Sequence, residues 1–256
     1  MAIIHNIIII VDTYFNIRYE FDKQCVLDSI ECQTKKGADY ICVTDGVVMN
    51  TANRNPEYLK VVNDGMFSIC DSSYVPLYIR WIYGTRYEQY CGSQIFIDII
   101  RSRKYRMIFM GTSRSVLDGL RHNLMQENPN VSEMQFVELP YKTVDEFDYE
   151  AIAKSIEEDG ADIVWVALGA PKQEIFMNRL KPFLNHGVMI AVGAAFKFYS
   201  GTEEKRAPEW MVKAHLEFVY RILRDPSKQL RRCGWILWTL PGLLYGEWKK
   251  SKQSTK

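Results

Sequence analysis

The chain has 256 residues, 47% hydrophobic and 25% charged, the make-up of a soluble globular protein with room for one large or two small cores. A formal charge of +1 excludes a global polyelectrolyte surface for nucleic acid, and no window reaches the ~18–20 apolar residues of a spanning helix. The charge is uneven: from Ser200 onward 12 Lys/Arg face 6 Asp/Glu, a net +6 that leaves −5 for the preceding residues. A basic tail on a mildly acidic body points to an anionic partner at the C-terminal end.

At the N-terminus "MAIIHNIIIIVD" lacks the basic region of a signal peptide, and its apolar run is too short. The six cysteines contain no C-x-x-C pair, so reduced thiols in the cytoplasm are expected. Apolar runs of strand length then alternate with amphipathic stretches. "YICVTD" (40–45) is followed by a helix predicted over 50–63, and "FSICD" (67–71) by one over 75–83. "YRMIFMG" (105–111) leads through "TSRS" into a helix from residue 116. "MQFVELP" (134–140) precedes "DYEAIAKSIEEDG", where Gly160 is a stop signal. "ADIVWVALG" (161–169) and "GVMIAVGAAF" (187–196) complete the series. This alternation predicts an α/β fold with a mostly parallel, Rossmann-like sheet flanked by helices. From Pro208 the chain turns helical, aromatic and basic. The expected division is a core over 1–200 and a helical appendage over 201–256.

Chemistry is expected where strands stop, because open parallel sheets bind ligands at the carboxyl ends of their strands. Gly111 and Thr112, followed by Ser113, stand at a strand-to-helix turn whose N–H groups suit phosphate; an ordinary turn with a helix cap reads equally well. A full G-x-G-x-x-G and a Walker motif are both absent, as are H-E-x-x-H and G-x-S-x-G, so no metal site or nucleophilic triad can be read. Asp71, just past a buried strand, is placed for general-base work, since partial burial raises a carboxyl pKa towards neutrality. On residue type alone, a cap for the next helix is the commoner use. "GAPKQE" (169–174) is a tight turn that delivers Lys172, Gln173 and Glu174 to a strand mouth.

In the tail, Arg206, Arg221, Arg224, Arg231 and Arg232 recur among Trp210, Phe218, Tyr220, Trp235 and Trp238. Arginine suits bidentate contact with phosphate oxygens, and aromatics beside it suit a lipid headgroup layer. A solvated basic face over an aromatic core is the plainer alternative. RNA binding has no recognisable module behind it.

Three blocks in this order, "ADIVWVALGAPKQEIFMNRL", "AVGAAFKFYSGTEEKRAPEWM" and "LEFVYRILRDPSKQLRR", resemble the WecG/TagA/CpsF glycosyltransferases, with the likeness running from about Tyr40 to Arg232. The resemblance implies an inverting, metal-independent transfer of a sugar from a UDP-sugar donor to a polyprenyl-diphosphate-linked glycan acceptor at the inner face of the cell membrane, with no cofactor. It implies Asp71 as the base and Gln173 as a second catalytic residue reaching the donor or the reacting sugars, with Gly169, Pro171 and Lys172 lining the donor site. The arginines would hold the acceptor diphosphate while an apolar face touches lipid, and self-association is a family tendency.

Several positions depart from the family pattern. Asp45 stands where an Asn is usual, Ser72 replaces a Gly, and "QYCGSQ" (89–94) keeps only Gly92 and Ser93 of its motif. Lys197 replaces a carboxylate next to the retained Gly193 and Phe196; a cation pointing into the cleft would favour an anionic donor sugar, and one pointing to solvent would mean nothing for it. The alternative is a catalytically silent member that binds lipid-linked glycan or scaffolds other enzymes.

Overall fold

A computed structural model describes residues 11–201, 211, 217–224 and 226–254; at 217, 218, 221, 224, 227–229, 231, 232 and 254 it describes the backbone alone. Among the described residues eight strands form one sheet: β1 (Asp12–Tyr14), β2 (Ile17–Tyr19), β3 (Asp39–Thr44), β4 (Phe67–Cys70), β5 (Met107–Gly111), β6 (Gln135–Val137), β7 (Ile163–Ala167) and β8 (Val188–Ala191). Their order is β1-β2-β4-β3-β8-β7-β5-β6, and every pairing except β1–β2 is parallel. The predicted α/β class is what the chain adopts.

Both faces of the sheet are covered. Helices α2 (Gly46–Arg54), α3 (Pro56–Asp64), α4 (Val75–Tyr83), α7 (Tyr149–Asp159) and α8 (Lys172–Leu180) pack with the side chains of Tyr40, Cys42, Ile108, Met110, Val164 and Val166. Helices α1 (Lys23–Gln33), α5 (Gly92–Ser102), α6 (Arg114–Glu127) and α9 (Ala195–Ser200) pack with the alternate residues Ile41, Val43, Met107, Phe109, Ile163 and Trp165. Two buried faces explain why these strands read as continuous apolar runs rather than alternating ones.

The predicted helix over 50–63 is two helices. Asn55 ends α2 and caps α3, its Oδ1 accepting the N–H groups of Glu57 and Tyr58 at 3.0 and 3.1 Å. Pro56 at the first helical position has no N–H to continue α2, and it disfavours helical backbone at Asn55. Four elements went unpredicted: the β1–β2 hairpin, α1, α5 and α9. The hairpin turns on Phe15 and Asn16, at φ 51° and 61°, the left-handed pair that a two-residue hairpin loop requires.

The C-terminal stretch is helical where described: α10 (Glu217–Arg224) and α11 (Pro226–Ser254). Leu240, Leu243 and Leu244 of α11 pack against the core on the α2–α4 face. Thr239 Oγ1 donates to Asn50, and Tyr83 Oη donates to the buried Glu247 at 3.0 Å. Among the described residues, no helix is long and apolar enough to cross a membrane.

Candidate active site

Parallel strands place their carboxyl ends on one edge, so the turns after β3, β4, β5, β7 and β8 converge there. The chain leaves β3 for α2 on one face and leaves β8 for α9 on the other. Loops that part in this way between neighbouring strands open a crevice, the usual ligand position of such sheets.

On the β3–β4 side, the N–H of Asp71 extends the sheet by bonding Thr44 O at 2.9 Å. Its carboxylate Oδ1 accepts the N–H of Gly92 at 2.9 Å. Gly92 is the first residue of α5, so the anion faces the positive end of that helix. Sequence reasoning offered Asp71 as a cap for the next helix, but α4 is entered from Tyr74 without a side-chain cap bond. The carboxylate serves α5 instead. A Cβ at Gly92 would lie 2.8 Å from Val43 Cγ1 and 3.5 Å from Asp71 Oδ1, so the approach that brings these groups together needs glycine. Ser93, buried, has its Oγ 3.2 Å from Cys91 Sγ, and its carbonyl accepts the Tyr199 hydroxyl at 3.1 Å. Asp45 is the N-cap of α2, its Oδ1 accepting from Val47 and Val48 at 2.8 and 2.9 Å.

On the β7–β8 side, Gly169 takes φ 77° and the Ala170–Pro171 peptide is cis. The turn folds Gln173 back on itself: its Oε1 accepts the Gly169 N–H at 3.1 Å, and its Nε2 donates to Glu174 Oε1 at 2.9 Å. Gly193, after β8, faces this carboxamide, since a Cβ there would lie 3.8 Å from Gln173 Oε1. Glu174 is fully buried, and its Oε2 accepts the Tyr58 hydroxyl at 3.0 Å. Burial pushes its carboxyl up to about 7, against the lowering effect of its hydrogen bonds to Gln173 and Tyr58. Sequence reasoning brought Glu174 to the strand mouth but gave it no task. Its partner Tyr58 lies 116 residues away, and no local pattern links the two.

Of the remaining expected residues, Gly111 and Thr112 stand at the same edge, after β5. Gly111 ends β5 at φ 111°, where a Cβ would sit 2.4 Å from Ala167 O, and Thr112 follows at φ 58°. Lys172 turns sideways: its Nζ lies 5.5 and 5.1 Å from the ring centroids of Tyr141 and Phe147. Lys197, expected near a strand end, is half-buried in α9, and Phe196 beside it is fully buried against Phe96 and Phe109. Arg206 lies outside the described residues, as do the side chains of Arg221, Arg224, Arg231 and Arg232. Among the described residues, no group of three or more His, Cys, Asp or Glu is placed to hold a metal ion.

The chain is similar to N-acetylglucosaminyldiphosphoundecaprenol N-acetyl-beta-D-mannosaminyltransferases of three bacteria. The Bacillus subtilis (strain 168) protein is 27% identical over 203 residues, 75% of this chain and 77% of the relative. That of Bacillus spizizenii is 26% identical over 80% of this chain and 78% of its own, and that of Staphylococcus aureus 24% over 73% and 72%. A family model described as "Glycosyl transferase WecG/TagA/CpsF family" matches residues 14–255. The resemblance read from three blocks of sequence thus extends over nearly the whole chain, which belongs to the WecG/TagA/CpsF family of glycosyltransferases.

Proposed function

We propose that this protein is an inverting glycosyltransferase that moves a sugar from a UDP-sugar to a polyprenyl-diphosphate-linked acceptor at a membrane surface. The observation that carries the reading is the Asp71 carboxylate, held at the sheet's carboxyl edge by the first N–H of α5. Inversion needs one displacement: the acceptor hydroxyl attacks the anomeric carbon, its proton passes to Asp71, and UDP departs with the bonding electron pair. Gln173, with the turn from Gly169, faces the donor from the other side of the crevice. The named activity of the relatives, mannosaminyl transfer to a diphosphoundecaprenol-linked sugar, supports a lipid-linked acceptor of this kind. The basic tail matches the acceptor diphosphate in charge.

Asp71→Asn tests the mechanism, because an amide keeps an oxygen for the Gly92 N–H but cannot take a proton. Expected are an unchanged melting temperature, unchanged UDP binding and turnover lowered at least ~10²-fold. Turnover near that of the wild type would remove Asp71 from the mechanism.

A further inference from the structure

Glu174 is the most deeply buried carboxylate beside the crevice, and the displacement above leaves it without a part. It enters with Gln173 on the first turn of α8, and its two oxygens have separate partners. Oε1 accepts from Gln173 Nε2 at 2.9 Å and Oε2 from Tyr58 Oη at 3.0 Å. The groups facing it are few: Tyr58 from α3, Cys42 from β3, and the Asp45 carboxylate at the start of α2. Among the described residues, no Lys or Arg pairs with it.

An ionised carboxylate only accepts, so Glu174 fixes which end of the Gln173 amide points where. With Nε2 turned to Glu174, Oε1 must meet the Gly169 N–H, as it does at 3.1 Å. Protonation at Oε1 would turn this acceptor into a donor. The Gln173 amide would then have to flip, setting its NH2 group against the Gly169 N–H, two donors face to face. Protonation at Oε2 would instead make the Tyr58 hydroxyl an acceptor. In that case Gln173 Nε2 keeps its acceptor, but the bond falls from charge-assisted to neutral and is roughly half as strong, so the hold on the carboxamide is lost in one case and weakened in the other.

We propose that Glu174, anchored by Tyr58, is a positioning residue that holds the Gln173 carboxamide and the Gly169–Lys172 turn in the donor-binding arrangement, and that its protonation releases them. This rests on the transferase reading. Burial sets the carboxyl near neutrality, so the release falls within the ordinary working range of pH.

The test measures kcat and donor KM from pH 5.5 to 8.5 for wild type, Glu174→Gln and Tyr58→Phe. Wild type is expected to lose turnover on the acid side with a midpoint near 7. Glu174→Gln should lack that limb and run about tenfold slower at pH 8, as a mispositioned group would. Tyr58→Phe withdraws a hydrogen bond from the charged form, so its limb should move up by about half to one pH unit. A purely structural role would lower stability in both variants without moving the limb, and an identical limb in all three proteins overturns the proposal. A second readout needs no activity: the side-chain amide resonance of Gln173 in 15N-labelled protein, assigned by its loss in Gln173→Leu. It should titrate near neutrality in wild type, at higher pH in Tyr58→Phe, and not at all in Glu174→Gln. An amide that stays put in wild type overturns the proposal. Wild type that transfers from no UDP-sugar counts against the transferase reading, and the amide titration alone then decides the part given to Glu174.

Discussion

At Gly111 the chain must turn out of β5 while passing over the neighbouring strand. The residue takes φ 111°, and a Cβ there would come within 2.4 Å of the Ala167 carbonyl oxygen, a backbone atom that cannot swing aside. Alanine would bear both the unfavourable dihedral and the clash, so Gly111→Ala should cost about 2–3 kcal/mol. Urea unfolding checks it, and an unchanged midpoint would show that β5 and β7 can part at this point. Gly92 differs, because its obstacle is the Val43 side chain. There a methyl group would push at the contact with Asp71 and touch chemistry before stability. A strand-to-helix turn marked Gly111 and the family resemblance marked Gly92, but neither could separate these reasons, since the obstacle in each case belongs to a distant strand.

The elements show the same limit from another side. A 29-residue helix of about 44 Å, α11, binds the core through Leu240, Leu243, Leu244 and Glu247. It also leaves Leu237 68% and Trp238 82% exposed, and α4 beside it presents Trp81. Apolar side chains gathered on a basic element fit the proposed lipid surface. Replacing both Leu237 and Trp238 by Ser should leave the melting temperature within a degree or two, because neither packs inward. Co-sedimentation with anionic vesicles should fall several-fold, and unaltered sedimentation would take these residues out of membrane contact. The helical, aromatic and basic character of this stretch was legible because composition alone carries it. Which leucines face the core was not, because Pro241 and three glycines blur the period. In the core, β4 was read to within one residue and α4 at Val75–Tyr83, being bounded by a buried apolar run and by Gly84 in the left-handed conformation. The α2–α3 break was missed although "NRNPEY" carries both a cap and a proline. Both helices bury their apolar sides on the same face, so the pattern runs on across the join. The β1–β2 hairpin has only three residues per strand and no Gly in its turn, which leaves no local signal to read.

For the molecule as a whole, the buried Glu174 ties stability to pH in a direction opposite to most carboxylates. An Asp or Glu paired with a cation folds with a lowered pKa and stabilises the protein as pH rises. Glu174 has its pKa raised by burial to about 7, so the folded state binds its proton more tightly than the unfolded chain does. Between the ordinary carboxyl range near 4.3 and the folded value, native protein holds more protons than unfolded protein, and stability must fall as pH rises through that window. A shift of this size corresponds to about 3 kcal/mol, fully lost once pH passes the folded value. Other ionisable groups add their own pH dependence. The telling quantity is therefore the difference between wild type and Glu174→Gln, in which those contributions cancel. Unfolding free energies from urea titrations at pH 5 and pH 8 should show wild type losing about 3 kcal/mol more than the variant between the two. Parallel losses in both proteins would mean that Glu174 keeps an ordinary pKa and is ionised throughout. Such a stability cost has a physical use only if the charge acts on something, and the group in contact with it is the Gln173 carboxamide at the mouth of the crevice. A fold that buries a carboxylate between a carboxamide and a tyrosine hydroxyl thereby keeps a titratable group one hydrogen bond away from the proposed donor site.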